Sequence, residues 1–323
     1  MPPESDHARR RARNAGRAAA AIALLAWCLV VVGALVRAHG AGLSCPDWPL
    51  CFGQVIPELD LKIGFEYGHR VMAGGLSIAL VALAFFSLRV RELRHRFLAP
   101  FAWIFALLAV QIVLGGLTVL LGLAPWTVTA HLLTGNAFVI SLVWLSRGLF
   151  ECASAAPAAR AELPGAIAKL GYACAVLVVL QVALGGIVSS NSAGLACATF
   201  PLCNADSLVP TLAGPVGLHV LHRLGGYAVF AAFAALAWRA RGSGRIDRLS
   251  KLAFGIVILQ IAVGVANVLL RLPVEVTALH SALATAIAIT TTLLLREVLA
   301  ARAATQPCVD LQGRTGRMFE ATR

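Results

Sequence analysis

The chain of 323 residues is 59% hydrophobic and only 13% charged, with a mean hydropathy of +0.82, which excludes an ordinary soluble domain. Its formal net charge of +12 does not indicate nucleic-acid binding, because the basic residues are distributed between long apolar stretches. Those stretches are about 20 residues or more, enough to cross the roughly 30 Å hydrocarbon core of a bilayer. The chain is therefore predicted to be an all-α polytopic membrane protein.

Eight transmembrane helices are predicted in chain order. The third and fourth are the clearest, since residues 97–146 contain no Asp, Glu, Lys or Arg and Pro125 marks the turn between them. The first apolar run follows basic residues, as in a signal peptide, but it is long for one and the repeat described below requires it as a helix. The predicted helices cover residues 18–37, 66–88, 97–121, 126–149, 166–189, 217–239, 248–270 and 275–300.

Two similar decapeptides, 152 residues apart, indicate an internal duplication. Residues 42–51 have the sequence GLSCPDWPLC, and residues 194–203 have the sequence GLACATFPLC. Each repeat then contains four helices, and an even number of spans gives both copies the same orientation. We therefore predict two tandem four-helix bundles with a parallel pseudo-two-fold repeat about the membrane normal.

The positions of Lys and Arg predict the orientation in the membrane. They gather before the first helix, in alternate short loops and after the eighth helix, and the positive-inside rule places these segments in the cytoplasm. Both termini are then cytoplasmic, and the cysteine loops are outside the cell (inner or plasma) membrane. The predicted segments are a basic N-terminus (1–17), a first half (18–150), a linker (151–165), a second half (166–301) and a cytoplasmic tail (302–323).

Each long outer loop contains one pair of cysteines. We predict the disulfides Cys45–Cys51 and Cys197–Cys203, because five intervening residues can close a small ring and the outer compartment is oxidising. Three roles stay open for these pairs: a structural cross-link, thiol exchange with a partner, or metal binding by thiolates.

Four histidines occupy matched positions at the outer starts of the even-numbered helices. They are His69, His131, His222 and His280. Imidazole in a membrane is costly and usually functional, and two histidines on facing helices of a bundle are a common way to bind haem iron through both axial positions. One haem site per half is therefore predicted. Zinc or copper is a weaker alternative, since no carboxylate or cysteine lies within helical reach of the histidines in both halves.

The two halves differ beside the first histidine of each pair. Glu66 lies three residues before His69, whereas His219 occupies the matching place before His222. Glu66 is a candidate proton acceptor or substrate-orienting group, with an interfacial residue as the alternative. The arginines that follow the two histidines, Arg70 and Arg223, are candidate contacts for haem propionates, with extension to the lipid headgroups as the alternative.

These residues resemble the haem A synthase family over about residues 18–299. The similarity is carried by the first cysteine loop, the stretch EYGHR at 66–70, the stretch TAH at 129–131, the pair His222-Arg223 and the stretch TALH at 277–280. The resemblance implies a fold of eight helices in two four-helix halves. It also implies an enzyme that oxidises the C8 methyl of haem O to a formyl group. The product, haem A, is delivered to terminal oxidases.

The resemblance also implies roles for individual residues. His222 and His280 would be the axial ligands of a resident haem b, while His69 and His131 would bracket the substrate haem in the first half. Glu66 would be the catalytic acid. The implied partners are haem O, a haem O synthase, oxidase assembly factors and membrane lipid, with no nucleic acid, and a homo-oligomer stays open.

Two other classes of function are compatible with parts of this pattern. A di-haem b-type membrane electron-transfer protein would use all four histidines, but such proteins usually place haems near opposite membrane faces. A quinone-linked thiol oxidoreductase would use the loop cysteines and would not need the histidines. The spectrum and extracted pigments of the purified protein would distinguish these functions.

Overall fold

A computed structural model describes residues 4–154, 164–204 and 207–302. Within them the chain forms eight helices, each long and apolar enough to cross a membrane, so the predicted multi-pass helical fold is confirmed. The helices are α1 (Glu4–Ala38), α2 (Leu61–Leu88), α3 (Arg91–Leu120), α4 (Pro125–Ala153), α5 (Gly165–Ser190), α6 (Gly214–Arg239), α7 (Arg245–Leu269) and α8 (Val274–Arg302).

The largest departure from the predicted boundaries is the start of α1, which begins at Glu4 rather than near residue 18. The arginines of this region lie on a helix whose opposite face is apolar, and Ala8, Ala12 and Ala19 on that face are buried in the same core as α4. The prediction was wrong because it treated a charged stretch as a loop, although charges on one face leave the other free to pack. Residues 155–163 of the predicted linker and 303–323 of the predicted tail lie outside the described residues.

Two hydrophobic cores hold the helices together. One is formed by α1 to α4 and includes Leu80, Phe101 and Leu142, and the other is formed by α5 to α8 and includes Phe233 and Leu294. The halves also contact each other, since α1 packs on α8 and α4 packs on both α5 and α8. Two cores with a shared interface are compatible with the proposed parallel repeat.

The helix assembly has two ends, one of which carries both cysteine loops. The cysteine-loop face contains residues 39–60, 191–204 and 207–213 and the ends of the helices next to them, and the opposite face contains the start of α1. Near the cysteine-loop face Arg37 donates to Ser189 Oγ at 2.8 Å, and the Thr129 and Ser190 hydroxyls lie 3.0 Å apart. These contacts join α1 and α4 to α5.

The halves are also joined at greater depth and near the opposite face. The indole N–H of Trp27 on α1 donates to the carbonyl of Ala282 on α8 at 3.0 Å. Arg296 on α8 binds both carboxylate oxygens of Glu151 on α4, at 3.0 and 2.9 Å. Such two-point pairing fixes geometry as well as charge, so α8 is held in register against both α1 and α4.

Candidate functional site

The two cysteine loops have the same covalent structure. Cys45 is bonded to Cys51 and Cys197 to Cys203, with S–S distances of 2.03 and 2.05 Å, and all four residues are buried. The predicted disulfides are confirmed. Because both sulfurs of each pair are consumed by the bond, thiolate metal binding at these four positions does not occur in this state.

Two side chains of α2 hold the first loop in place. Glu66, which is 4% exposed, accepts a hydrogen bond from the Cys45 amide at 2.8 Å and an ion-paired one from Arg70 at 2.6 Å. Arg70 also donates to the carbonyls of Asp47 and Leu50, at 2.8 and 2.6 Å. The catalytic candidate of the first half is therefore bonded directly to the disulfide loop.

The second loop is held by the matching positions of α6 with different chemistry. The ring Nδ1 of His219 lies 3.4 Å from the Cys197 amide and 3.0 Å from the Ala193 carbonyl, and Arg223 donates to the carbonyls of Cys197 and Thr199. The loop-binding function is common to both halves. The carboxylate is not, since an imidazole takes its place in the second half.

The four predicted histidines lie at matched depths beneath these loops. His69 and His222 are the ninth residues of α2 and α6, and His131 and His280 are the seventh residues of α4 and α8. At about 1.5 Å of rise per residue, all four are within roughly 9 to 12 Å of the start of their helix. The sites are thus near the cysteine-loop face in both halves.

Each histidine ring packs against a glycine on a neighbouring helix. A Cβ added at that glycine would lie 3.1 to 3.4 Å from the Cε1 atom of the ring, closer than most real contacts. The pairs are Gly33 with His69, Gly115 with His131, Gly185 with His222 and Gly264 with His280. A glycine at each place lets the Cε1 edge of an imidazole approach the adjacent backbone closely, so that packing restricts the orientation of the ring.

The second-half pair is close and supported by amides. The ring centroids of His222 and His280 are 6.4 Å apart, with 69° between the ring planes. Gln181 on α5 donates to the His222 carbonyl at 2.9 Å and its Nε2 lies 3.1 Å from the ring Nδ1. Gln260 on α7 lies 3.3 Å from His280 Nε2.

The first-half pair has weaker amide support. His69 and His131 are near enough to interact electrostatically, and Gln111 donates to the His131 carbonyl at 2.9 Å. The position that corresponds to Gln181, by the 152-residue offset, is Leu29, which is apolar. The second half therefore has a polar residue beside His222, and the first half has an apolar residue at the matching position.

The donor set and the space between the rings suit haem. Two metal–nitrogen bonds of about 2 Å each, plus the distance from each nitrogen to its ring centre, give a centroid separation of about 6 Å, close to that of His222 and His280. The Nδ1 atoms of His69, His131 and His280 are buried, and the described residues supply no hydrogen-bond partner for them. Buried polar atoms normally have partners, which indicates a ligand from outside the chain.

Sequence reasoning missed the glycine contacts and Gln181. The sequence does contain a feature that could have indicated these glycines. Gly33 and Gly185 are separated by the same 152 residues as the two cysteine loops. Gln181 breaks the repeat, so a search for matched residues passes over it. The predicted propionate contacts from Arg70 and Arg223 stay a prediction, and in the structure these side chains bind loop carbonyls.

Comparison with known proteins identifies a family whose members are similar to most of the chain. The family described as Cytochrome oxidase assembly protein matches residues 17–64 and 59–292. The first match includes the first cysteine loop, and the second match includes all four histidines.

Individual relatives agree with the family match. A "Heme A synthase" of Shouchella clausii is 32% identical over 253 residues, which are 75% of this chain and 82% of the relative. One of Symbiobacterium thermophilum is 32% identical over 72% of this chain and 76% of the relative. One of Shewanella oneidensis is 28% identical over 78% of this chain and 87% of the relative.

Proposed function

Because the chain belongs to the haem A synthase family of cytochrome oxidase assembly proteins, we propose that it oxidises haem O in its first half with the help of a haem b in its second. Its activity is that of a membrane haem-dependent oxidoreductase which converts haem O to haem A. The electron-transfer and thiol-oxidoreductase alternatives are not favoured by these relatives.

The resident haem b is assigned to His222 and His280. The observation that carries this assignment is the 6.4 Å separation of their rings, together with the amides of Gln181 and Gln260 beside them. Haem b bound there supplies one-electron transfer. The chain's own contribution is to orient two imidazoles by glycine packing and amide contacts, so that both present a nitrogen to the same space.

The substrate is assigned to the first half, between His69 and His131. That half lacks the amide beside its first histidine and has a carboxylate in place of His219. A site that must exchange its haem benefits from looser ligand support than a site that retains it. The asymmetry between Gln181 and Leu29 therefore supports substrate binding in the first half and retention in the second.

Glu66 is proposed as the catalytic group of the first half. It is buried, lies one helical turn from His69 and bonds directly to the loop that covers the site. In that loop Trp48 packs on Gly116, where an added Cβ would lie 3.1 Å from the indole, and Gly116 adjoins the glycine that faces His131. Glu66 is thus placed to take up a proton, or to orient the reacting methyl group, under a loop that limits the entry of water.

The proposed topology follows from the same features. The cysteine loops are assigned to the extracytoplasmic side of the cell membrane, where disulfides persist, and both termini to the cytoplasm. The segments 18–150 and 166–301 are then the substrate half and the resident-haem half. The proposed partners are a haem O synthase, which delivers the substrate, and oxidase assembly factors, which receive haem A. Self-association of the chain is also part of the proposal.

One preparation tests the proposed function. The full chain is purified from cells that make haem O, its absorption spectrum is recorded and its pigments are extracted and separated. Haem b together with haem O or haem A is the expected result. Haem b alone would favour electron transfer, and a protein without any haem would contradict the assignment of all four histidines.

A further inference from the structure

The start of α1 is fixed on the end of α4 at the face opposite the cysteine loops. Ser146 Oγ donates to the Gly16 carbonyl at 2.9 Å, and the ring of Phe150 lies 3.2 Å from where a Cβ of Gly16 would be. Ala12 and Ala8, about one and two turns earlier, are buried in the same core. The arginines carried by this part of α1 therefore have defined positions relative to α4.

Three arginines line one cleft at this junction. The cleft has a volume of about 370 Å³, and its lining consists of Arg13, Arg17, Arg147, Phe150, Ala153 and Ser154. Arg13 and Arg17 are one turn apart on α1 and share a face, while Arg147 approaches from α4. Three of the six lining residues are arginines and none is acidic, so the lining itself is positively charged.

The charge of Arg147 is only partly neutralised by the protein. Its ion-pair partner is Glu297 at 3.6 Å, and that carboxylate is shared with Arg245 at 3.1 Å. The nearby carboxylate of Glu151 also interacts with Arg147, but it pairs with Arg296 at 2.9 Å. The Nε atom of Arg147 is buried and has no hydrogen-bond partner among residues 4–154, 164–204 and 207–302. A guanidinium with a buried unused donor at the edge of a positive cleft is suited to bind an external anion.

An apolar groove continues from the same arginine toward the middle of the membrane. It has a volume of about 230 Å³ and is lined by Arg147 together with Ala23, Leu24, Trp27, Val143 and Ile289. Trp27 is ten residues beyond Arg17 on α1, a rise of about 15 Å. The positive cleft and the apolar groove thus meet at Arg147, with one at headgroup depth and the other at acyl-chain depth.

We propose that this combined surface binds an acidic phospholipid, with the phosphate group among Arg13, Arg17 and Arg147 and one acyl chain in the groove beside Trp27. Basic pockets between transmembrane helices are known to select anionic headgroups. A free phosphate would use the arginines alone and leave the groove without function. A zwitterionic lipid would bring a cation into a cleft that has no carboxylate in its lining.

The test uses the full chain in detergent, with phosphatidylglycerol as the probe and retained lipid counted by native mass spectrometry. The variant Arg13→Gln with Arg17→Gln should weaken binding about 30-fold, as expected for two surface arginines. The matched control is Arg91→Gln with Arg94→Gln, two exposed arginines on the same face that do not line the cleft. The control should bind as the unmodified chain does. All substituted arginines are exposed, and unchanged helical circular dichroism verifies folding.

A second variant tests the groove. Ala20 is exposed and lines the groove, so Ala20→Trp should fill the acyl-chain space and weaken phosphatidylglycerol binding without affecting the fold. Inorganic phosphate at millimolar concentration should not displace the lipid. The proposal is overturned if the two double variants retain the same amount of lipid. It is equally overturned if Ala20→Trp has no effect while inorganic phosphate competes, because the site would then bind a free anion.

Discussion

The carboxylate of Glu66 accepts a hydrogen bond from the backbone amide of Cys45 at 2.8 Å, and in the second half the ring of His219 lies 3.4 Å from the corresponding amide of Cys197. Both residues attach a disulfide loop to a helix. Glu66 differs from His219 in that it brings a carboxylate, which is the proposed acid or base of the first half. A loss of activity at Glu66 therefore has two candidate causes, loop detachment and loss of acid–base chemistry, and a well-chosen substitution separates them.

Glu66→Gln is expected to retain bound haem but to lower haem A formation by roughly 10² to 10⁴, the range for a positioned acid or base. The amide oxygen of Gln can still accept from Cys45, so the loop should stay attached. The ratio of haem A to haem O in extracted pigments measures the effect. His219→Gln is the control and should leave that ratio unchanged. Wild-type turnover by Glu66→Gln with the substrate site occupied would show that the acid is only a loop contact.

Replacement of the histidines should separate cofactor from substrate. His222→Ala or His280→Ala removes one axial ligand of the resident haem and should abolish the low-spin haem b spectrum. His69→Ala or His131→Ala should leave that spectrum largely intact and stop haem A formation. Absorption spectra and pigment extraction are needed for all four variants. The opposite pattern, with haem b lost from the first-half variants, would mean that the two halves have exchanged roles.

Loss of the first disulfide should affect stability more than chemistry. Cys45→Ser with Cys51→Ser opens a ring of only a few residues, and we expect the free energy of unfolding to fall by about 2 kcal/mol, with turnover per folded molecule unchanged. Thermal unfolding of the detergent-solubilised protein measures this change. The equally spaced pair Cys197 and Cys203 is the matched control. A normal yield of folded protein with lost turnover would instead identify the first pair as redox-active.

The contacts of Asp47 in the first loop should weaken in acid, and the contact of Asn204 in the second loop should not. The pKa of Asp47 is lowered from its ordinary value, chiefly by the hydrogen bond from the Gly53 amide and further by that from Phe52. A lowered pKa in the folded state gives stability that is present above about pH 3.9 and is lost as the pH falls through the lowered pKa. Neutral Asn204 makes the corresponding contact with the Ala198 amide.

Hydrogen–deuterium exchange, corrected for the intrinsic rate at each pH, measures this difference. The amides of Phe52 and Gly53 should lose protection on acidification, the Ala198 amide should retain it, and Asp47→Asn should remove the pH dependence at Phe52 and Gly53. Equal behaviour of both loops in the unmodified chain would show that Asp47 does not control the first.

Gln181 should stabilise the resident haem through His222. Gln181→Leu places the first-half residue in the second half, and we expect haem b affinity to fall 10- to 100-fold, as for other residues that orient a metal ligand. The midpoint potential and low-spin spectrum of the haem that remains should also change, which a purely structural defect would not require. Leu29→Gln is the reciprocal control and should leave haem b unaffected. Unchanged haem b retention in Gln181→Leu would remove Gln181 from the ligand support.

The parts predicted from the sequence are those that depend on residue type and spacing. The eight helices follow from the length of the apolar stretches, and the disulfides follow from closely spaced cysteines that recur at a fixed offset. Matched histidines at the same helical position are likewise visible in the chain. The start of α1 was missed because the small residues Ala8, Ala12 and Gly16 become informative only when α4 is known to lie against them.

Contacts between distant segments could not be predicted in the same way. The charge of Arg70 makes it a candidate contact for a haem propionate, and the sequence did not predict that it donates to loop carbonyls 20 to 25 residues earlier. A positive side chain has several chemically equivalent partners, and only the fold selects among them. For the same reason Gln181 has no signature in the sequence, since its function comes from α6 lying beside α5.

The hydrogen bond from Trp27 to Ala282 joins α1 to α8 across 255 positions of the sequence. At bacterial and eukaryotic elongation rates the 255 residues between them take on the order of tens of seconds to synthesise. During that time the indole N–H lacks its final acceptor, and an unsatisfied polar group in lipid costs several kcal/mol. The newly made first half must therefore use water, headgroups or an insertion factor as a temporary partner. The contact between α1 and α8 is therefore completed only when α8 enters the bilayer.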